Sequence, residues 1–245
     1  MLKWFSRRKK EEFDSLNFSI LKTDIHSHLL PGIDDGSPDI KTTINLIREM
    51  QNLGFKKLIT SPHVMSDFYQ NTSEIILSSL NDVMVELEAQ SITIELDAVA
   101  EYYIDFEFEQ KIGKERFLTF GDNYILVELS FIEQPRNLSD IIFKLQLEGY
   151  RIVLAHPERY AYYRLEDYKE LRNRGVLFQI NLLSLIGYYS PHVQKKTEKL
   201  IEENLVSFVG TDCHNMSHAQ LYEKCQTKKS WHDLVNSEML LNHTL

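Results

Sequence analysis

The strongest constraint on this chain is an alternation running from residue 21 to residue 211. Seven short apolar runs lie at 21–25 (LKTDI), 56–61 (KKLITS), 94–100 (IELDAVA), 124–129 (YILVEL), 151–155 (RIVLA), 176–180 (VLFQI) and 206–211 (VSFVGT). They are apolar throughout instead of at every second residue, which suits strands covered on both faces. Between most of them the apolar period is helical. Residues 39–54 set Ile40, Ile44, Ile47 and Met50–Gln51 along one face, with Gly54 as the expected stop. Residues 73–90 repeat the pattern with Ser73 as the expected N-cap, and 137–150 and 190–205 repeat it again. Residues 116–123 (RFLTFGDN) suggest an extra hairpin-like element before the fourth strand. Strand–helix repetition without a long break predicts βαβ units and a parallel sheet, hence an α/β fold. The pattern alone leaves open whether the sheet closes. The expected organisation is a basic N-terminal extension, residues 1–18, followed by a single domain, 19–245.

Composition narrows the function classes. The net charge of −9 argues against a nucleic-acid partner, which usually meets a basic face. No apolar run approaches the roughly 18 residues a spanning helix needs, and Met1–Lys10 lacks the apolar core of a secretory signal. With two cysteines, Cys213 and Cys225, a disulfide framework is excluded and a reducing cytoplasm is expected. The basic stretch KWFSRRKK, with Trp4 and Phe5, allows at most a peripheral contact with an anionic membrane surface. A solvated, frayed terminus is the simpler reading.

Chemistry gathers where the strands end. The first runs into His26 and His28, the second into His63 and the third into Glu101. The fourth carries Glu128, the fifth ends at His156, and the seventh at Asp212 and His214. Only the sixth, ending at Asn181, lacks a strong ligand type. Residues i and i+2 of a strand share a face, so each His or Asp/His pair can address one ion. The turn-forming PGIDDG segment can return Asp34 or Asp35 over the same mouth. Taken singly, each residue has a plainer role: a hydrogen-bonded core histidine, a paired carboxylate, an Asx turn. Their coincidence at strand ends points instead to a metal centre, because the C-terminal mouth of α/β barrels holds the chemistry. Mixed imidazole and carboxylate ligands suit zinc, manganese or iron better than calcium. His218, four residues beyond His214, is a further candidate for the mouth.

The motifs DIHSH, SPH, AE, AHPER and GTDCH, spread over residues 24–214, resemble the polymerase and histidinol phosphatase (PHP) family. DIHSHLLPGIDDGSPD and AHPERY look most like its metal-dependent protein-tyrosine phosphatases of capsule and exopolysaccharide clusters. The resemblance implies a distorted (β/α)7 barrel and three divalent metal ions, manganese or iron with zinc possible. It places His26, His28, Glu101 and Asp212 at the first ion and makes Glu101 the bridge to a second, completed by Glu128 and His156. Asp35, His63 and His214 would hold the third, and Arg159 would grip the phosphate. Where that branch commonly has an arginine, five residues past the last ligand histidine, this chain has Ala219, and His218 beside it is the expected substitute.

The expected reaction is hydrolysis of phosphotyrosine by a metal-bridging hydroxide attacking in line, with Arg159 and the ions stabilising the non-bridging oxygens. A cysteine-dependent route has no candidate: six positions beyond Cys213 and Cys225, where that chemistry needs arginine, stand Ala219 and Trp231. Phe68, Tyr69, Tyr102, Tyr103 and Phe106 are candidates for a slot receiving the phosphotyrosine ring. By family analogy the partner is a bacterial tyrosine kinase controlling capsule synthesis, at the inner membrane surface. The rival readings are a small-molecule phosphatase of histidinol-phosphate type, an amidohydrolase, whose metal-bridging lysine has no counterpart here, and a non-catalytic metal-stabilised module.

Overall fold

The computed structural model describes residues 13–245. The basic run at the N-terminus, and the membrane contact suggested for it, lie outside the described residues. Among the described residues nine short strands are present: β1 (Thr23–Asp24), β2 (Lys57–Thr60), β3 (His63–Val64), β4 (Glu95–Ala98), β5 (Glu101–Tyr103), β6 (Tyr124–Glu128), β7 (Arg151–Ala155), β8 (Leu177–Asn181) and β9 (Val206–Gly210). Eight α-helices accompany them: α1 (Ile40–Asn52), α2 (Ser73–Ala89), α3 (Phe106–Lys111), α4 (Leu138–Leu147), α5 (Leu165–Asn173), α6 (Pro191–Glu202), α7 (Met216–Ala219) and α8 (Lys229–Asn236).

All strand pairs are parallel. They form one sheet ordered β1-β2-β4 and another ordered β3-β5-β6-β7-β8-β9. The expected second and third runs hold β2 and β4, and each is followed by a short further strand outside it, β3 and β5. Pro62, which has no N–H for the ladder, separates β2 from β3. Val99–Ala100 separates β4 from β5, where Val99 N–H still reaches Thr60 O and Glu101 N–H reaches Pro62 O. Past β1 and β9 the chain stays paired: Ser27 bridges Cys213, Asp212 N–H donates to His26 O at 2.7 Å, and His28 N–H donates to Cys213 O at 2.9 Å.

Alternation along the strands sorts their residues between two cores. Ile125, Val127, Ile152 and Leu154 join a large cluster beneath the helices. Leu126, Val153 and Ala155 instead join a small cluster with Ile25, Ile59, Val99 and Phe208. That second cluster is an apolar floor, and the polar residues at the strand ends stand above it.

Local chemistry accounts for the helix boundaries. Asp39 caps α1 by accepting from Thr42 N–H, and Gly54 ends it at φ +105°, as the pattern predicts. The buried face of α1 is Thr43, Ile44, Leu46, Ile47 and Met50, whereas Ile40 is exposed. Thr72, not Ser73, caps α2, since its side chain accepts from Ile75 N–H. The expected element at 116–123 reduces to one antiparallel bridge between Phe120 and Tyr124 around a tight turn. Of the expected extension, residues 15–18 dock on the C-terminal part of the domain. Trp231 Nε1–H donates to Leu16 O, and Phe18 meets the Trp231 ring edge-on at 5.1 Å.

Candidate metal centre

The eight residues read from the strand ends, and Asp35 from the PGIDDG turn, converge. His26 and His28 follow β1, His63 opens β3, Glu101 opens β5, Glu128 closes β6, His156 follows β7, and Asp212 and His214 follow β9. Their donor atoms interleave. His26 Nε2 lies 3.3 Å from Glu101 Oε2 and 3.6 Å from Asp212 Oδ1, while His28 Nε2 lies 3.5 and 3.4 Å from the same two oxygens. His156 Nε2 lies 2.9 Å from Glu101 Oε1 and 3.6 Å from Glu128 Oε1. His63 turns Nδ1 toward Glu101 (3.1 Å) and Glu128 (3.7 Å) and Nε2 toward Asp35 (3.6 Å), which also lies 3.6 Å from His214 Nε2. Three groups have ligand atoms within 4.8 Å of one another: His26, His28 and Glu101; His63, Glu101 and Glu128; and His28, Asp35, His63 and His214. His28, His63 and Glu101 each stand in two of them.

Outer contacts fix the imidazole tautomers. His26 Nδ1–H donates to Gln179 Oε1 at 2.7 Å, His28 Nδ1–H to Asp34 Oδ2 at 2.7 Å, and His214 Nδ1–H to Asp212 O at 2.9 Å. The neighbouring aspartates therefore divide the labour: Asp34 orients His28, and Asp35 faces the mouth. Strand β8, the sixth apolar run and without a ligand of its own, supplies a relay. Gln179 Nε2–H donates to Asn181 Oδ1, and Asn181 Nδ2–H donates to Asp212 Oδ2 at 2.6 Å. The sequence reading missed Gln179, although it sits two residues before Asn181 on the same strand face. Two of the seven non-glycine residues with left-handed backbone among the described residues lie here, His156 (φ 33°) and Asp212 (φ 53°).

These groups fit divalent cations. With both Nδ1 atoms donating outward, the His26 and His28 Nε2 lone pairs face each other at 3.3 Å, an arrangement that calls for a positive centre between them. Among the described residues, Glu101 Oε2, His63 Nδ1 and His156 Nδ1 are buried without a hydrogen-bond partner. Burial pushes the Glu128 carboxyl well above the usual carboxylate range, and neighbouring Glu101 pushes it further. Burial also acts upward on Glu101, but His26 and His63 outweigh it and hold Glu101 well below that range. Burial and then Arg159 lower His156 to about 4, so it is a neutral donor at pH 7. Bound cations would favour ionised Glu128 and displace protons from the histidines.

A cavity of about 390 Å³ opens over this cluster, lined by Arg159, Phe131, Tyr188, Tyr189, Asn215 and His218 besides the ligand candidates other than His26 and His28. Arg159 leaves the 3-10 turn after β7 and places Nη1 3.4 Å from Asp212 Oδ2. His218 reaches the mouth, where its Nε2 lies 3.2 Å from the Tyr188 hydroxyl, while Ala219 is buried in the core. The five aromatics expected to form a ring slot are scattered. Tyr102 is buried, its hydroxyl accepting from Leu118 N–H at 2.8 Å, and it borders a separate cavity of about 720 Å³. Phe68 and Phe106 are exposed, Tyr103 is half-buried, and only Tyr69 touches the cluster, stacking on His63 at 5.6 Å. The rings at the mouth are Phe131, Tyr188 and Tyr189, which sequence periodicity does not single out.

Comparison with known proteins agrees with this geometry. Residues 22–233 match the model of a family described as capsular polysaccharide synthesis, CpsB/CapC. The chain belongs to that CpsB/CapC family. It is 32% identical over 196 residues to the tyrosine-protein phosphatase YwqE of Bacillus subtilis, spanning 79% of this chain and 77% of the relative. It is 26% identical over 201 residues to the tyrosine-protein phosphatase CpsB of Streptococcus agalactiae, spanning 79% and 83%. Among solved structures, it matches crystal structures described as YwqE from Bacillus subtilis and CpsB from Streptococcus pneumoniae, metal-dependent tyrosine phosphatases. That match has a TM-score of 0.77 and 31% identity, and it covers 90% of this chain and 94% of the other. A histidinol phosphate phosphatase from Lactococcus lactis shares the fold alone, at 14% identity and a TM-score of 0.50.

Proposed function

We propose that this chain is a metal-dependent protein-tyrosine phosphatase, a phosphomonoester hydrolase acting on phosphotyrosine proteins in capsular polysaccharide synthesis. The observation that carries the reading is the convergence of nine imidazole and carboxylate side chains beneath a single arginine, in a chain of the CpsB/CapC family. In this reading His26, His28, Glu101 and Asp212 hold a first ion. Glu101, Glu128 and His156 hold a second, and Asp35, His63 and His214 a third. Manganese or iron is the proposed occupant, with zinc as the alternative. Merging β2 with β3 and β4 with β5 gives seven strand positions, and the pairing of the chain past β1 with that past β9 supports a distorted (β/α)7 barrel.

Bound divalent ions would lower the pKa of water toward about 7 and offset charge on the phosphoryl group. The chain's own residues do the rest. The Arg159 guanidinium offers an in-plane fork of donors to non-bridging phosphate oxygens. Gln179, Asn181 and Asp34 hold the ligand side chains in register, so little reorganisation accompanies the reaction. His218 and Tyr188 flank the mouth, where the tyrosyl leaving group would depart.

Among the described residues no helix is long and apolar enough to cross a membrane. A bacterial tyrosine kinase is the proposed substrate, met in the cytoplasm at the inner membrane surface, with residues 19–245 as one catalytic domain. The test is phosphate release from a phosphotyrosine peptide before and after chelation, with histidinol phosphate and an ester and amide panel in parallel. Peptide hydrolysis that is lost on chelation and restored by manganese supports the proposal. Undiminished hydrolysis after rigorous chelation, or preference for histidinol phosphate or an amide, overturns it.

A further inference from the structure

Arg159 is held in an unusual way for a partly buried cation. Its guanidinium carbon lies 4.6 Å from the ring centre of Phe131 and 4.6 Å from that of Tyr189. Cation–ring attraction requires no N–H···O bond, so two rings can hold the group and leave most of its five N–H donors to oxygen acceptors. Its one ion pair among the described residues, to Asp212 Oδ2, is long at 3.4 Å. A carboxylate clamp in the same place would occupy the fork that an incoming phosphate needs.

Tyr189 has a second attachment. Its hydroxyl donates to Asp212 Oδ2 at 3.2 Å and accepts from Asn181 Nδ2–H at 3.0 Å. Asn181 also donates directly to Asp212 Oδ2. The other oxygen, Asp212 Oδ1, is the one turned toward His26 and His28. One side chain thus holds the phosphate-facing cation with its ring and selects the inward oxygen of a ligand carboxylate with its hydroxyl.

We propose that Phe131 and Tyr189 are positioning residues of the phosphatase site. Their rings hold Arg159 with its donor fork open to phosphate, and the Tyr189 hydroxyl ties that clamp to Asp212. This rests on the phosphatase reading above. The two functions of Tyr189 are separable. Y189F keeps the ring and loses the hydroxyl, Y189L loses both, and F131L loses the other ring at a position partly open to solvent. Three readouts apply: the inhibition constant of inorganic phosphate, kcat and KM on a phosphotyrosine peptide, and Mn²⁺ affinity of chelator-stripped protein by calorimetry.

Y189L and F131L are each expected to raise the phosphate inhibition constant and KM by about 3- to 30-fold, the loss of one cation–ring contact. Y189F is expected to restore the phosphate constant to within about 2-fold of wild type while weakening Mn²⁺ binding by about 10-fold, as removal of an outer-shell partner does. R159A provides the reference. If R159A raises the phosphate constant while folded Y189L or F131L leaves it at the wild-type value, the clamp is wrong and the phosphatase reading stands. If Y189F loses as much phosphate affinity as Y189L, the ring is not what holds Arg159, and the proposal falls. If R159A itself binds phosphate as wild type does, both the clamp and the proposed role of Arg159 fail.

Discussion

Replacing Asp34 with alanine tests the division of labour between two adjacent aspartates. Asp34 Oδ2 accepts from His28 Nδ1–H at 2.7 Å and from His63 N–H at 3.1 Å, and Oδ1 accepts from Gly36 N–H at 2.9 Å. Its side chain has no solvent exposure. Alanine leaves a buried imidazole N–H without its charged acceptor, and His28 is then free to rotate or to adopt the other tautomer. A hydrogen bond to a charged group contributes about 1.5–3 kcal/mol, so Mn²⁺ affinity should fall by about 10- to 150-fold. The loss is in metal binding, so saturating Mn²⁺ should restore most of kcat on a phosphotyrosine peptide. Asparagine can present its oxygen to His28 and His63, but its amide then meets Gly36 N–H donor to donor. D34N should therefore fall between wild type and D34A. Asp35 is half-exposed and faces His63 and His214 directly, so D35A should remove one donor without disturbing His28. The assay is calorimetric titration of chelator-stripped protein, with circular dichroism as a check on folding. A folded D34A protein that binds Mn²⁺ like wild type would refute the reasoning.

Other outcomes follow from the same geometry. Cys213 and Cys225 are fully buried and burial pushes each thiol up to about 12, so iodoacetamide at pH 8 under native conditions should leave peptide hydrolysis unchanged; rapid inactivation would reopen a thiolate mechanism. A Cβ on Gly210 would sit 2.6 Å from His26 Cβ and 2.8 Å from Gln179 Nε2, so G210A should cost about 1–3 kcal/mol and weaken Mn²⁺ binding, read by thermal melts and calorimetry. Y102F removes the acceptor of the part-buried Leu118 N–H, at a cost of about 0.5–1.5 kcal/mol, and should lower the melting temperature while leaving the ratio of aryl to alkyl phosphate hydrolysis at its wild-type value. A collapse of that ratio would return Tyr102 to the ring slot.

The sequence carried the α/β class and the mouth because both depend on short-range rules. A strand of apolar residues ending in His or Glu announces itself within five or six positions, and all nine candidates do meet. What it could not carry depends on the third dimension. Nine strands appear among the described residues where seven runs were visible, because β3 (His63–Val64) and β5 (Glu101–Tyr103) lie past the ends of the second and third runs, in segments too short and too polar to read as apolar runs. The choice between Asp34 and Asp35 needed the turn geometry that buries one and leaves the other facing solvent. Tyr102 sits beside Glu101 in the chain, yet strand alternation points it away from the mouth, into the core beneath α3. Phe131, Tyr188 and Tyr189 occupy loops, where no period marks a residue's direction.

The most direct test is anomalous diffraction at the manganese edge from crystals grown with Mn²⁺. Peaks inside the mouth, about 2.0–2.3 Å from atoms of the nine residues, are the predicted result. Crystals of active protein with no peak there, or with peaks bound only by other residues, would contradict the account.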